Sequence, residues 1–279
     1  MPTLTHEQGI DLGQQTCLQF QGPDVLQYLQ GLVTQDVRQL KADQCLATCV
    51  LNPRGGLIAY GFMWQNADCI FLHVQAVDTA AVKSHFDRYH IADRLDITIT
   101  QPKRLVHFPY LETCEDRSDS AIGCHRYGIP GLDVWMDEPF DFIPIDTDQL
   151  EVSRIKRGVP VFGQDMFPDD NPLIYGLADA ISKHKGCYIG QETVAMTRDR
   201  GRPPRRLVVC RSQGVQAVKG PVRYDKDTVG DLSSVAMDGE IAHGLATVKY
   251  SVAQRENILV DALNQSWTII QVADYGKPS

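Results

Sequence analysis

From residue 205 to the end of the chain, short apolar runs separated by turn residues replace any helical pattern. The runs are RRLVVCR, GDLSSVAM, HGLATVKY, ENILVDAL and SWTIIQV. Such runs without a helical stripe favour a small β-barrel or sandwich of about 75 residues. Pro203 and Pro204 interrupt whatever element precedes them. We therefore predict two domains, 1–203 and 204–279.

The first 203 residues mix short strands with helices. Three β-rich runs at 45–51, 57–64 and 69–74 are joined by tight turns, which predicts an antiparallel meander. Asp78 precedes a run with apolar residues at helical spacing through Tyr89, which predicts a capped helix. Strands and helices without strict alternation are typical of an α+β region.

The composition limits the kinds of partner. With 27 basic and 35 acidic residues the net charge is −8, so a nucleic-acid partner is not expected outside a local basic patch. No apolar run has the length of a membrane span, and the first residues lack the pattern of a targeting segment. We therefore expect a cytoplasmic protein with no membrane partner.

Eight cysteines are scattered along the chain without a CxxC pair. In a chain of 279 residues without a targeting segment, reduced thiols are expected rather than a disulfide framework. Cys45 and Cys49 have no second pair at zinc-finger distance, so no metal site is predicted. The cysteines are Cys17, Cys45, Cys49, Cys69, Cys114, Cys124, Cys187 and Cys210.

The most informative segment is KGCYIGQE at 185–192. Gly186 and Gly190 bracket Cys187 and Tyr188 in a tight loop, and Lys185 stands two residues before the cysteine. A nearby lysine and a following helix N-terminus both stabilise a thiolate, so Cys187 is the candidate reactive cysteine, with Lys185 beside it. The alternative is a cysteine that only packs within a glycine-rich connection.

A helix is expected to begin directly after this loop. Gln191 and Glu192 fall in its first turn, and the negative charge of Glu192 suits the helix dipole there. Arg198 and Arg200 fall in its last turn, and Gly201 is expected to supply the left-handed residue that ends it.

Five arginines lie within nine residues of this otherwise acidic chain. They are Arg198, Arg200, Arg202, Arg205 and Arg206. One interpretation is a solvated basic face. The other is an anion site, because guanidinium groups bind carboxylates through paired hydrogen bonds. A nucleic-acid backbone is less favoured, because few aromatic residues are interleaved with the arginines.

The segment KGCYIGQE resembles the signature of the YgfZ-type, folate-binding branch of the aminomethyltransferase-like proteins. The mitochondrial relatives of that branch assist the maturation of four-iron clusters. Weaker similarities follow in the same order along the chain, so the resemblance spans most of it. They lie at 22–37, 51–61, 154–165, 230–234 and 244–248.

The resemblance implies a fold, a cofactor and a role. The fold would be α+β, with ferredoxin-like lobes around a central folate site and a small C-terminal β-barrel. The cofactor would be tetrahydrofolate or a derivative, with Arg200, Arg202, Arg205 and Arg206 as candidates for the anionic folate tail. The role would be support of iron–sulfur cluster assembly or repair in client enzymes, including tRNA-modifying ones.

Several positions depart from the glycine-cleavage aminomethyltransferases that share this fold. Ala59 and Tyr60 stand where those enzymes carry acidic residues, and neither side chain can do acid–base work at neutral pH. Lys156 stands where they carry a glutamate, and Met196 where many YgfZ-type members carry an arginine. No reaction follows from these residues.

Two enzymatic alternatives stay open. One is a folate-dependent aminomethyltransferase or demethylase, against which Ala59 and Tyr60 speak. The other is a hydrolase or acyl transferase that uses Cys187 with His184. Those two residues are three apart, whereas a nucleophile and its base usually meet through the fold.

Overall fold

A computed structural model of the chain describes residues 8–75, 77–111, 121–136, 142–214 and 218–274. Cys114 and the side chain of Arg200 lie outside the described part of the structure. Within the described part of the chain, no helix has the length and apolar character that crossing a membrane requires.

Sixteen strands and four α-helices are present in the described ranges. The strands are β1 (Gln8–Gln15), β2 (Leu18–Gln21), β3 (Leu46–Leu51), β4 (Leu57–Asn66), β5 (Cys69–Val74), β6 (Asp96–Ile99), β7 (Lys103–Pro109), β8 (Ala121–Arg126), β9 (Ile129–Met136), β10 (Ile143–Pro144), β11 (Arg205–Gln213), β12 (Gly220–Tyr224), β13 (Asp227–Asp238), β14 (Ile241–Lys249), β15 (Ile258–Val260) and β16 (Ser266–Val272). The α-helices are α1 (Val25–Gln30), α2 (Thr79–Tyr89), α3 (Thr147–Lys156) and α4 (Gln191–Ala195). Short 3-10 turns cover Val37–Gln39, Pro172–Tyr175 and Leu177–Ala180, and a π-helical turn covers Met196–Arg200.

The chain divides into two compact units, each assembled from separate stretches of sequence. Unit 1 comprises Met1–Val50, Ala59–Asp146 and Ser182–Tyr188. Unit 2 comprises Leu51–Ile58, Thr147–Ile181 and Ile189–Ser279. The boundary expected near 203–206 stays a prediction.

Most of unit 1 is built on two five-stranded sheets, with strand orders β3-β4-β5-β2-β6 and β10-β1-β7-β9-β8. The order β3-β4-β5 confirms the predicted meander. The indole of Trp64 stacks on its cross-strand neighbour Phe71 at 5.4 Å and, between the two sheets of unit 1, on Trp135 at 5.3 Å between ring centroids. Aromatic pairs of this kind bury large apolar surfaces and fix the packing of the core.

Helix α2 confirms its sequence-based prediction. The Asp78 carboxylate accepts a hydrogen bond from the Ala80 N–H at 2.9 Å, which caps the first turn as an N-cap residue should. The buried side of the helix carries Val82 and Phe86, both fully inaccessible. Phe86 packs edge-on against Phe20 of β2 at 5.1 Å.

A charged network lies inside unit 1. The Asp133 carboxylate accepts hydrogen bonds from Arg126 Nε at 2.7 Å and from His107 Nδ1 at 2.9 Å, and all three side chains are buried. Burial alone would raise the pKa of Asp133, but the Arg126 charge and these hydrogen bonds lower it. Burial, with help from Arg126, lowers the pKa of His73 to about 3, so this imidazole is neutral at physiological pH.

Six strands of unit 2 close into a barrel in the order β11-β14-β13-β12-β15-β16, which confirms the predicted C-terminal barrel. Its interior is apolar and includes Trp267, Leu259 and Ile269, each fully buried. The indole N–H of Trp267 donates to Asp261 at 3.1 Å, so the buried polar atom is satisfied. Closure leaves the barrel without the exposed edges that flat sheets carry.

Helix α3 is attached to the barrel by a second buried ion pair. Arg154 Nη1 donates to Asp165 at 2.8 Å, and Nη2 donates to the Ser234 hydroxyl of β13 at 2.7 Å. Both Ser233 and Ser234 also donate to Asp165. Every group of this network has a partner, which is the condition under which a buried ion pair is tolerated.

Candidate functional site

The motif 185–192 is divided between the two units, with 185–188 in unit 1 and 189–192 in unit 2. In unit 1, the backbone N–H of Ser182 donates to the carbonyl of Thr34 at 3.0 Å. The ammonium of Lys185 donates to the carbonyls of Val33 at 2.6 Å and Gln35 at 2.8 Å. These bonds hold the 182–188 loop on the segment that follows α1.

Lys185 is almost fully buried, with 7% of its surface exposed. Burial lowers its pKa to about 8, and nearby Arg38 lowers it while Asp36 opposes that effect. The ammonium also lies 5.2 Å from the centre of the Tyr188 ring, as a cation–π contact. Lys185 thus anchors the loop through backbone carbonyls, a role that its nearness to Cys187 in sequence did not suggest.

Cys187 is the exposed member of the described free cysteines, whereas Tyr188 beside it is buried. An exposed thiol on an anchored loop can meet a partner or reagent from solvent. His184 is also exposed, and its backbone N–H donates to Ser182 Oγ at 3.4 Å. Whether Cys187 has a chemical role stays a prediction.

In unit 2, the backbone at Gly190 packs directly against the Asn52–Gly56 turn. Gly190 has a left-handed φ of +79°, and a Cβ there would lie 2.5 Å from the Asn52 carbonyl oxygen and 2.9 Å from the Cα of Gly55. Gly55, at φ +80°, would place a Cβ 2.8 Å from the Cβ of Thr193. Only glycine combines this backbone conformation with such close approach. The packing of the two segments therefore requires glycine at both position 55 and position 190.

Helix α4 starts at Gln191, as predicted, and has Glu192 in its first turn. It is shorter than expected, because the backbone continues as a π-helical turn from Met196. Gly201 has φ −128° and is not left-handed, so its expected terminal role was wrong. The left-handed glycine is Gly190 at the start of the helix, where the turn of Asn52 is packed against it.

The arginines differ in their surroundings. The exposed guanidinium of Arg202 lies over the Tyr250 ring at 4.8 Å, and that of Arg206 lies 5.7 Å from the same ring. Arg205 instead donates to Asp170 at 2.8 Å. Arg198 donates to the neighbouring Asp199 at 2.8 Å.

Arg202 and Arg206 therefore both lie against the Tyr250 ring, while Arg205 is neutralised by a carboxylate. A guanidinium that stacks on an aromatic ring keeps its N–H edge available to an anion, as the exposed Arg202 does. Arg206 is half-buried and also donates to the carbonyl of Ala273. The sequence alone showed five equivalent arginines, because the partner acids Asp170 and Asp199 carry no signal of their pairing.

The positions that depart from the transferases, and Met196, which departs from many YgfZ-type members, lie in different surroundings. Ala59 is fully buried on β4, and the Tyr60 ring packs edge-on against Phe62 at 5.6 Å. Lys156 forms a surface ion pair with Asp238, and 55% of Met196 is exposed. Neither Ala59 nor Tyr60 offers a carboxylate at this point of the strand.

The described architecture is the aminomethyltransferase fold. The glycine cleavage system aminomethyltransferase T from Bartonella henselae superposes with a TM-score of 0.79 and 15% sequence identity, over 96% of this chain and 86% of that one. The structure also mixes helices with sheets and carries the closed barrel, so the α+β prediction with a C-terminal barrel is confirmed.

Sequence comparison adds two groups of distant relatives. The chain is 22% identical to an aminomethyltransferase of Shouchella clausii, over 77% of this chain and 70% of that one. It is 23% identical to a mitochondrial iron–sulfur cluster assembly factor, an IBA57 homolog of Pyricularia oryzae, over 81% of this chain and 62% of that one. No family model matches the chain.

Proposed function

We propose that this chain is a folate-binding accessory factor of the YgfZ type. It supports assembly or repair of iron–sulfur clusters in client enzymes, including tRNA-modifying ones, in the cytoplasm. The client or assembly proteins are its protein partners, and tetrahydrofolate or a derivative is its cofactor. The iron–sulfur cluster is cargo in this proposal rather than a resident group.

The observation that carries this choice is the position of Ala59. The chain is similar both to aminomethyltransferases and to an iron–sulfur assembly factor. By the resemblance described above, the transferases carry acidic residues at this point of the strand. Here a methyl group is fully buried there, and Tyr60 is engaged with Phe62. Without a carboxylate the strand cannot supply acid–base catalysis, which favours the accessory role.

The chemistry of the arginine side chains fits the anionic end of a folate. Arg202 and Arg206 both lie over the Tyr250 ring, and Arg206 also donates to the Ala273 carbonyl. The exposed guanidinium of Arg202 matches the carboxylates of a polyglutamate tail. When bound, a reduced folate would supply one-carbon chemistry or would have a structural role in its binding site. The residues of this chain would bind and orient it, with Arg202 holding the tail.

The proposed function is tested in a strain that lacks the gene. Wild-type protein should restore the activities of iron–sulfur enzymes, including a tRNA-modifying one. Cys187→Ser should fail to restore them while its folding and folate affinity stay unchanged, because serine keeps the size of the side chain but does not ionise near neutral pH. Cys69→Ser is the control and should restore activity fully.

Full restoration of the enzyme activities by both Cys187→Ser and Cys187→Ala would show that this thiol has no chemical role. Failure of the wild-type protein to restore the activity of any iron–sulfur enzyme would contradict the proposed accessory function itself.

Aminomethyl transfer or demethylation is the second candidate, favoured by the similarity to the transferase of Shouchella clausii. It predicts methylene-folate or formaldehyde from glycine-type or methylamine substrates. The same preparation that restores iron–sulfur enzymes should form neither product.

A further inference from the structure

Two cysteines far apart in sequence meet within unit 1. The backbone N–H of Cys45 donates to the carbonyl of Gly123 at 2.7 Å, and the N–H of Gly123 donates to the carbonyl of Asp43 at 2.8 Å. These bonds form an isolated parallel bridge between Gln44 and Gly123. Cys45 and Cys124 are the next residues on each side, so they are direct neighbours across the bridge and extend to the same face.

Gly123 makes this approach possible. A Cβ at this position would lie 3.1 Å from the carbonyl oxygen of Asp43. The missing side chain lets the 43–45 segment lie against β8, and the bridge then sets the register of the two thiols.

A carboxylate completes the group. The Sγ atoms of Cys45 and Cys124 and one carboxylate oxygen of Asp133 all lie within 4.8 Å of one another. Cys124 and Asp133 are buried, while Cys45 is half-buried. Two sulfurs bound to one zinc ion lie about 3.8 Å apart, so the thiols need only a small movement to share a cation.

The surroundings of Asp133 suit a ligand role. His107 Nδ1 donates to one of its oxygens, and Arg126 Nε donates to both. A carboxylate has about four lone-pair sites, so one remains for a further partner. Outer groups that orient a ligating carboxylate in this way are a regular feature of metal sites.

The charges also balance. Two thiolates and the Asp133 carboxylate carry three negative charges, which the Arg126 guanidinium and one divalent cation together neutralise. A buried group without net charge avoids the large desolvation penalty of an uncompensated ion. Thiolate sulfur selects thiophilic ions such as Zn²⁺ over Mg²⁺ or Ca²⁺.

A cavity of about 350 Å³ lies beside Cys124, one of the three groups. Its lining includes Gln44, Gly123 and Cys124, together with His125 and Tyr110. Three-ligand zinc sites keep a water molecule in the fourth position, which space beside Cys124 would admit.

We infer that Cys45, Cys124 and Asp133 form a binding site for one thiophilic divalent cation of the Zn²⁺ type. The site is independent of the folate and iron–sulfur proposals, since it uses none of the residues on which they rest.

The test uses the full-length chain, stripped of metal and kept reduced, with Co²⁺ as the spectroscopic probe for Zn²⁺. Addition of Co²⁺ should produce sulfur-to-cobalt charge-transfer absorption and the visible bands of a four-coordinate ion, saturating at one equivalent. Zn²⁺ should abolish both signals by displacement and should raise the melting temperature of the protein.

Cys45→Ser and Cys124→Ser should each weaken Co²⁺ binding by more than the ~10–100-fold that loss of an outer-shell partner costs. Cys69→Ser, which removes another half-buried free thiol, should leave the titration unchanged. Cys45 is half-buried, so Cys45→Ser should fold. If Cys124→Ser does not fold, the Co²⁺ titration of Cys45→Ser decides the result.

Three outcomes overturn the proposal. The first is a reduced wild-type protein that gives no thiolate charge-transfer band with Co²⁺. The second is a band that survives in Cys45→Ser. The third is a thiol count that finds Cys45 and Cys124 joined as a disulfide, together with no binding of metal after that disulfide is reduced.

Discussion

Lys185 shows how a single buried cation can organise a loop. Its ammonium satisfies the carbonyls of Val33 and Gln35, and these backbone acceptors would otherwise lack this partner. A buried acceptor left unpaired costs about 1–3 kcal/mol. Lys185→Met should therefore lower the free energy of unfolding by about that amount at pH 10.5, where the cost of burying the charge no longer offsets the lost bonds, measured by urea denaturation.

The same residue gives a pH dependence with a defined sign. The pKa of Lys185 lies at about 8 in the folded protein, below the value of 10.5 for an ordinary lysine. Between these two values the unfolded chain binds more protons, so this residue's contribution to stability rises with pH across that window.

The difference in unfolding free energy between wild type and Lys185→Met should consequently grow by about 1–3 kcal/mol from pH 8 to pH 10.5. Urea denaturation at a series of pH values measures it. A difference that stays constant, or shrinks as pH rises, contradicts the lowered pKa.

Arg202 and Arg205 provide a matched pair for the proposed folate tail. The Arg202 guanidinium lies on the Tyr250 ring, whereas that of Arg205 is paired with Asp170. Arg202→Ala should remove the gain in affinity that each added glutamate gives, and leave monoglutamate binding nearly intact. Calorimetric titration with mono- and polyglutamyl tetrahydrofolate at two salt concentrations measures this, since salt screens exposed charge pairs.

Arg205→Ala should keep most of the dependence on tail length. Equal losses for both ligands in the Arg202 variant would mean that this arginine shapes the pocket instead of holding the tail.

At the scale of elements, the contact between α4 and the Asn52–Gly56 turn depends on glycine. Gly190→Ala forces a left-handed backbone on a residue with a Cβ and places that atom 2.5 Å from the Asn52 carbonyl oxygen. We expect a loss of about 2–4 kcal/mol in unfolding free energy. Thermal or urea denaturation of the purified variant measures it.

Gly186 in the same motif is the control, because a Cβ there would meet nothing within 4 Å. Gly186→Ala should change stability by less than about 1 kcal/mol. Comparable losses in the two variants would show that the motif's glycines act through chain flexibility rather than through close packing.

At the scale of the whole molecule, a bound folate should stabilise the native state. A ligand at a hundred times its dissociation constant adds about 2.7 kcal/mol to the unfolding free energy. Tetrahydrofolate should therefore raise the melting temperature by several degrees in a thermal-shift series. No shift at millimolar tetrahydrofolate would remove the cofactor from the proposal and leave the thiophilic cation site untouched.

Local patterns in the sequence determined much of this fold. The runs at 45–51, 57–64 and 69–74 became neighbouring strands, and Asp78 caps α2. The apolar runs after Pro204 closed into the barrel. Alternation, turn chemistry and capping act over a few residues, and a single sequence displays them directly.

Tertiary structure alone decided which residues meet. The acceptors of Lys185 are backbone carbonyls about 150 positions away, and a backbone carbonyl has no residue type by which a sequence could mark it. The left-handed glycine beside α4 is Gly190 at its start rather than Gly201 after it, because a turn from another part of unit 2 packs against Gly190. Cys45 and Cys124 become neighbours through the register of one bridge, and register depends on how the strands pack together rather than on local sequence.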